Sequence, residues 1–309
     1  MRTICSLAGL LLLVPGILFG QSTWFQQSPP PPLSAVAFTS ATTGITVGAG
    51  ILHTTDGGVT WTNRLNVANV SLTGVYFSDS NTGTAVGNGA ILRTTDGGMT
   101  WVEQESGTAN GLSGVFFTDA NIGTIVGEGT ILRTTNGGFH WENISNGTTN
   151  TLRAFSFVDS TTGTAVGYRG TILRTTNGGA SWKNQTSGTS ADLKDIALTD
   201  VNTGTAVGNG VVIRSTDGGT TWTDRSTGMS PELSAVHFVD TNTGTAVGNG
   251  IIVRTTDGGL NWVDQSNGTT RTLREFTFTD VNTGVAVGDQ GTILRTTDGG
   301  LTWKNQPSG

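Results

Sequence analysis

Three observations predict an all-β chain folded as a single seven-bladed β-propeller with four antiparallel strands per blade. One unit recurs seven times, a tryptophan returns every 40 or 41 positions, and each unit reads as four short strands joined by Gly-rich turns. The tryptophans are Trp61, Trp101, Trp141, Trp182, Trp222, Trp262 and Trp303. The longer steps share one cause. Most copies read Val-Gly-x-Gly at one turn, as in Val126-Gly127-Glu128-Gly129, whereas Val166-Gly167-Tyr168-Arg169-Gly170 and Val287-Gly288-Asp289-Gln290-Gly291 carry one residue more.

Within a unit, strand a reads Leu-x-x-Val-x-Phe (Leu112, Val115, Phe117), and its alternation buries one face. Strand b is Thr-Ala-Val-Gly or a relative, as in Thr84 to Gly87. Strand c is Ile-Leu-Arg-Thr-Thr, as in Ile131 to Thr135. Adjacent apolar residues there point to opposite sides, so both sides need cover, as in a sheet stacked between two neighbours. Strand d is expected to start at the tryptophan, as in Trp182 to Gln185. Gly pairs and Asn/Asp-Gly steps mark the hairpins between them. The last copy, Leu273 to Gln306, matches the middle ones and carries no polar cap, which favours a closed ring over an open solenoid.

The amino end is different. Residues 1–20 read as a secretory signal peptide, with Arg2 before the apolar run Leu10 to Phe19, which is too short for a comfortable membrane span. Residues 21–32 hold a strand-d-like stretch around Trp24 and then Pro29 to Pro32, either a latch for the ring or a leftover half-repeat. The propeller is expected over 33–309. Cys5 is the only cysteine, so no disulfide braces the mature chain. A formal charge of -6 gives no overall attraction to nucleic acid or anionic membrane.

Between strands c and d stands Thr94-Thr95-Asp96-Gly97-Gly98-Met99-Thr100-Trp101 and its counterparts. A short carboxylate there accepts N–H bonds within its own turn, glycine supplies the backbone freedom, and tryptophan buries between blades. This string resembles the Asp-box, Ser/Thr-x-Asp-x-Gly-x-Thr-Trp, of the BNR repeat family, and its regularity marks it as a fold device.

Arginine recurs on strand c at Arg93, Arg133, Arg174, Arg214, Arg254 and Arg295, and aspartate recurs after strand a at Asp79, Asp119, Asp159, Asp200, Asp240 and Asp280. The first copy lacks both, with His53 and Ser40 instead. Either each arginine pairs with an aspartate, or the arginines form an exposed positive ring for an acidic partner.

Positions that break the repeat are the better site candidates. Arg153, Lys194 and Arg274 follow the strand-a leucine where other copies carry Ser or Thr, and Tyr168 and Arg169 fill the longer turn of the fourth copy. These five residues are expected to line one sector of the channel mouth and bind an acidic or polar partner; the alternative is ordinary solvated surface. His53, His140 and His237 share no metal-ligand spacing, so no metal or cofactor is implied.

The string Val-Gly-x-x-Gly-Thr-Ile-Leu-Arg-Thr-Thr-x-Gly-Gly-x-x-Trp in copies four and seven resembles the photosystem II stability and assembly factor family. That resemblance implies an exported, non-catalytic propeller that contacts another envelope or membrane protein through a face bearing arginines; the chain is expected to be periplasmic or secreted, and monomeric. Two other classes stay open. One is a carbohydrate-binding propeller. The other is a glycoside hydrolase of sialidase or xyloglucanase type, although Tyr76 lies in the middle of strand a and Tyr168 has no evident Glu partner in sequence.

Overall fold

A computed structural model describes residues 32–64, 71–144, 146–226, 232–265 and 268–306. The signal-peptide reading and the Trp24 segment lie outside them. Among the described residues are seven four-stranded antiparallel sheets, each in the order a-b-c-d and each built from one repeat. Strands a run Leu33–Phe38, Gly74–Phe77, Leu112–Phe117, Leu152–Phe157, Leu193–Leu198, Leu233–Phe238 and Leu273–Phe278. Strand d is only two or three residues long and begins one position later than expected, as in Lys183–Gln185. The tryptophan before it turns into the blade interface instead.

Strand b explains how the blades stack. Its five residues, such as Gly123–Gly127 (Gly-Thr-Ile-Val-Gly), are buried in every copy, so only small or β-branched side chains fit. The closing glycine is fixed by a close approach: a Cβ on Gly127 would stand 2.2 Å from the Gly111 carbonyl oxygen, and one on Gly208 1.9 Å from that of Asp192.

Seven apolar clusters hold the sheets together, each made by two adjacent blades. One joins Val86 and Ile91 of blade 2 to Leu112, Val115, Phe117 and Trp141 of blade 3. Another joins Val285, Val287 and Ile293 of blade 7 to Leu33, Val36 and Trp61 of blade 1, which closes the ring by packing. In six blades the last strand-a residue is a phenylalanine set edge-on to the tryptophan, as in Phe117–Trp141 at 5.8 Å. Blade 5 has Leu198 there, packed with Trp222.

The tight turn before each tryptophan works as the residues imply. Asp96 Oδ1 accepts from the Thr94 hydroxyl at 2.8 Å and from the Thr100 N–H at 2.9 Å, while Gly97 and Gly98 sit at φ of 72° and 86°. The Thr100 hydroxyl and then its N–H hold the Asp96 carboxyl down at about 2.

Strand a carries the feature that positions the site. In six blades its ladder slips by one residue: Leu112 faces Gly127 and Gly114 faces Val126, so Ser113 is left out. Such a bulge re-aims the unpaired side chain, here toward the ring axis.

Candidate functional site

The residue set aside after each strand-a leucine is Ser34, Thr73, Ser113, Arg153, Lys194, Ser234 or Arg274. All seven line one cavity of about 350 Å³, which therefore lies on the axis at the mouth of the channel. An adjoining cavity of about 160 Å³ is lined by the next residue of most strands: Ala35, Gly74, Gly114, Ala154, Asp195 and Glu275. The mouth is thus a rim of Ser/Thr broken by three cations, above a wall of Ala/Gly broken by two acids.

Arg153, Lys194 and Arg274, singled out in the sequence, line this cavity together. Lys194 Nζ lies 3.4 Å from Glu232 Oε1, and Arg274 Nε lies 2.5 Å from Asp289 Oδ1. The Arg153 guanidinium stands over the Tyr168 ring, 5.8 Å from its centre, so Tyr168 joins the site through Arg153. Arg169 does not join. It sits at φ 56° in the short 3-10 turn Tyr168–Gly170, and its N–H donates to Asp192 Oδ1 at 2.9 Å.

Asp195 and Glu275 were missed as site residues. Asp195 Oδ2 reaches across to the N–H of Val236 in blade 6 at 2.7 Å, and Glu275 Oε1 accepts from its own neighbour Phe276 at 2.9 Å. Burial pushes the Asp195 carboxyl up to about 7; burial and then the Asp195 charge push Glu275 up to about 8. Both side chains are half-buried where they line the cavity. The signal was available: their position is Ala or Gly in the other five copies. Glu232 and Asp289 were invisible as partners, because the first contact joins two blades and the second joins a strand to a turn 15 residues away.

The strand-c arginines correct a sequence expectation. Among the described residues the ion pairs within 4 Å are Lys194–Glu232 and Arg274–Asp289; no strand-c arginine comes that close to a strand-a aspartate, although, after the N–H groups of their own turns, the charges of Arg93, Arg214 and Arg254 help to lower Asp79, Asp200 and Asp240, and that of Asp159 acts on Arg174. Those aspartates cap their own turn: Asp79 Oδ1 accepts from the N–H groups of Asn81 at 2.7 Å and Thr82 at 2.8 Å. In blade 1, Ser40 Oγ does the same for Thr42 and Thr43, which accounts for the missing aspartate without any pairing. The half-buried arginines reach forward to the next blade. Arg133 Nε donates to the Gly178 carbonyl at 3.0 Å, Arg214 to Gly258 at 2.7 Å, Arg254 to Gly299 at 3.2 Å and Arg295 to Gly57 at 3.1 Å, while Arg93 donates to Gly137. Arg174 donates to Val201 at 2.6 Å, and Gln185 takes the Gly218 carbonyl at 3.1 Å. These groups join blade to blade; at the step from blade 1 to blade 2, His53 stands in their place.

Together, the fold and the axial mouth define a closed seven-bladed propeller with one asymmetric, charged cavity. Among solved structures, YCF48 bound to D1 peptide matches with a TM-score of 0.73 at 21% identity, covering 87% of this chain and 92% of that one. YCF48 from Cyanidioschyzon merolae matches with a TM-score of 0.70 at 22% identity, over 88% of this chain and 97% of that one. The likeness to this photosystem II assembly factor is one of fold. The GH74 xyloglucanase from Xanthomonas campestris matches with a TM-score of 0.72 at 14% identity, over 91% of this chain but 55% of that one. No family model matches, and no curated protein matches.

Proposed function

We propose that this chain is an exported, non-catalytic propeller that binds a protein partner at its axial mouth and serves as an assembly scaffold in the cell envelope. The observation that carries the reading is an axial cavity at which the repeat is broken by charge: seven near-identical blades meet there, and four of them supply Arg153, Lys194, Asp195, Glu232, Arg274, Glu275 and Asp289. A surface needed only for folding would repeat like the rest. The fold likeness to a structure holding a peptide, with little of either chain left over, supports a protein ligand.

One observation favours a second reading, a glycoside hydrolase. Asp195 and Glu275 are two carboxylates facing one cavity, the residue types such chemistry uses, and a xyloglucanase shares the fold. A sugar-binding, non-catalytic propeller is the milder form of it.

The test uses a triple variant, Arg153→Ser, Lys194→Ser and Arg274→Ser, which restores the residue that blades 1, 3 and 6 carry. The mature protein is cross-linked in envelope extract and the adducts are identified by mass spectrometry. A partner held by the wild type whose yield changes at least tenfold in the variant is the expected result. Equal recovery overturns the mouth as the binding site, and release of reducing ends from xyloglucan overturns the non-catalytic reading.

A further inference from the structure

The rim of the axial cavity looks cationic in sequence, but its charge pairing reverses that impression. Three cations line the cavity, Arg153, Lys194 and Arg274, against four acids. Lys194 is neutralised by Glu232 and Arg274 by Asp289. Arg153 lies over the Tyr168 ring. The remaining two acids, Asp195 and Glu275, have no cation within 4 Å among the described residues. Each spends one oxygen on a backbone N–H. Around them, Ala35, Gly74, Gly114 and Ala154 leave room, and Thr73, Ser113 and Arg153 complete the polar part of the lining.

We infer that the wall of this cavity takes one organic cation, the side chain of a lysine or arginine from the bound protein, with its charged head between Asp195 and Glu275. This rests on the reading that a protein segment occupies the mouth, and it names the chemistry of that segment. A cation restores the balance of three against four. The methylene stem of the side chain suits the small apolar walls. An acidic segment would meet an uncompensated carboxylate pair. A metal ion finds too few ligands: no group of three His, Cys, Asp or Glu able to hold one occurs among the described residues, whereas calcium takes about six to eight oxygens.

The two carboxyls face Arg153, Lys194, Glu232, Arg274 and Asp289 at the rim, and His237, edge-on to Phe276, lies two residues beyond Ala235 on the strand between them. Burial lowers the His237 pKa and so favours its neutral form. With both carboxyls raised, the empty site holds a proton near neutral pH. An entering ammonium favours both carboxylates ionised, so binding expels that proton to the buffer.

The experiment is titration calorimetry of the full mature protein at pH 7.5, in two buffers of different ionisation enthalpy. The probes are acetyl-Gly-Lys-Gly-amide, acetyl-Gly-Glu-Gly-amide and calcium chloride. The lysine peptide is expected to bind with proton release, and at least tenfold more weakly at pH 5.5. Asp195→Asn and Glu275→Gln, separately and together, keep the backbone acceptor and are expected to weaken it at least tenfold. Unchanged lysine-peptide affinity in the double variant, preference for the glutamate peptide, or tighter binding of calcium overturns the inference. Cross-linking of the double variant in envelope extract separates the two readings: a partner retained at wild-type yield sinks the cation site and leaves the scaffold standing. A wild type that retains no partner sinks the scaffold, while the lysine-peptide titration still decides the site.

Discussion

Replacing Asp195 by Asn is expected to stabilise the propeller at alkaline pH and to leave it unchanged at acid pH. Burial raises the Asp195 carboxyl from 3.8 to about 7. A folded-state pKa above the unfolded one means that the native protein binds more protons than the unfolded chain across the interval between them. Stability is then fully present below about pH 4 and is lost as the pH rises through about 7, and for Glu275 through about 8. For a lone group a shift of about three units corresponds to about 4 kcal/mol, at about 1.4 kcal/mol per unit. The pair shares this cost and both side chains are only half-buried, so roughly 1–3 kcal/mol is expected for the single variant at pH 8.5. Asn retains an oxygen for the Val236 N–H, so the ring contact survives. Urea unfolding of wild type and variant at pH 5, 7 and 8.5 reads the effect directly as a difference in midpoint. Stability curves that run parallel over this range would refute the placement of a buried, raised carboxyl in the channel. The acid limb has the opposite sign. Asp56 and Asp96, held at about 2 by the hydroxyls and N–H groups of Thr60 and Thr100, lose their contribution as the pH falls below 4 toward 2, so maximal stability is expected between the two limbs.

The inter-blade arginines give a pair of opposite outcomes. Arg295→Ala removes a charge-assisted bond from blade 7 to the Gly57 carbonyl of blade 1 and is expected to cost about 1.5–3 kcal/mol, while His53→Arg offers the equivalent bond to the Gly97 carbonyl and is expected to gain about 1 kcal/mol; denaturant midpoints check both. Trp141→Ala empties the wedge between Phe117 and its neighbours and is expected to cost about 3–5 kcal/mol by the same measurement.

What the sequence discloses follows from what repeats. Seven tryptophans at nearly constant spacing fix the blade count, because each must be buried by the same pair of sheets. The lengthened turns at Tyr168–Gly170 and Asp289–Gly291 were legible for the same reason. Arg153, Lys194 and Arg274 were legible as breaks in a Ser/Thr column. The bulge that aims them at the axis was not, since a one-residue slip in the pairing of a strand has no residue signature of its own in these repeats. Contacts between blades were the other blind spot. The joint loss of Arg and Asp in the first copy suggested a pair, but two separate jobs vanished together there: a turn cap, taken over by Ser40, and a reach to the next blade, which His53 replaces.

The carboxyl of Asp195 is a different kind of break, because the fold does not require its charge. Its bond to the Val236 N–H is within the means of an amide, and at the corresponding position the five blades without an acid manage with glycine or alanine, blade 6 among them with the buried Ala235. Glu275 contributes still less to the ring, since its bond goes to its own neighbour. A repeat that copies itself closely over seven units has here accepted two carboxylates that repel each other, in the one cavity common to all blades. Folding alone gains nothing from that arrangement. A ligand whose charge answers theirs recovers what the empty channel gives up, and functional sites are where local stability is yielded in this way.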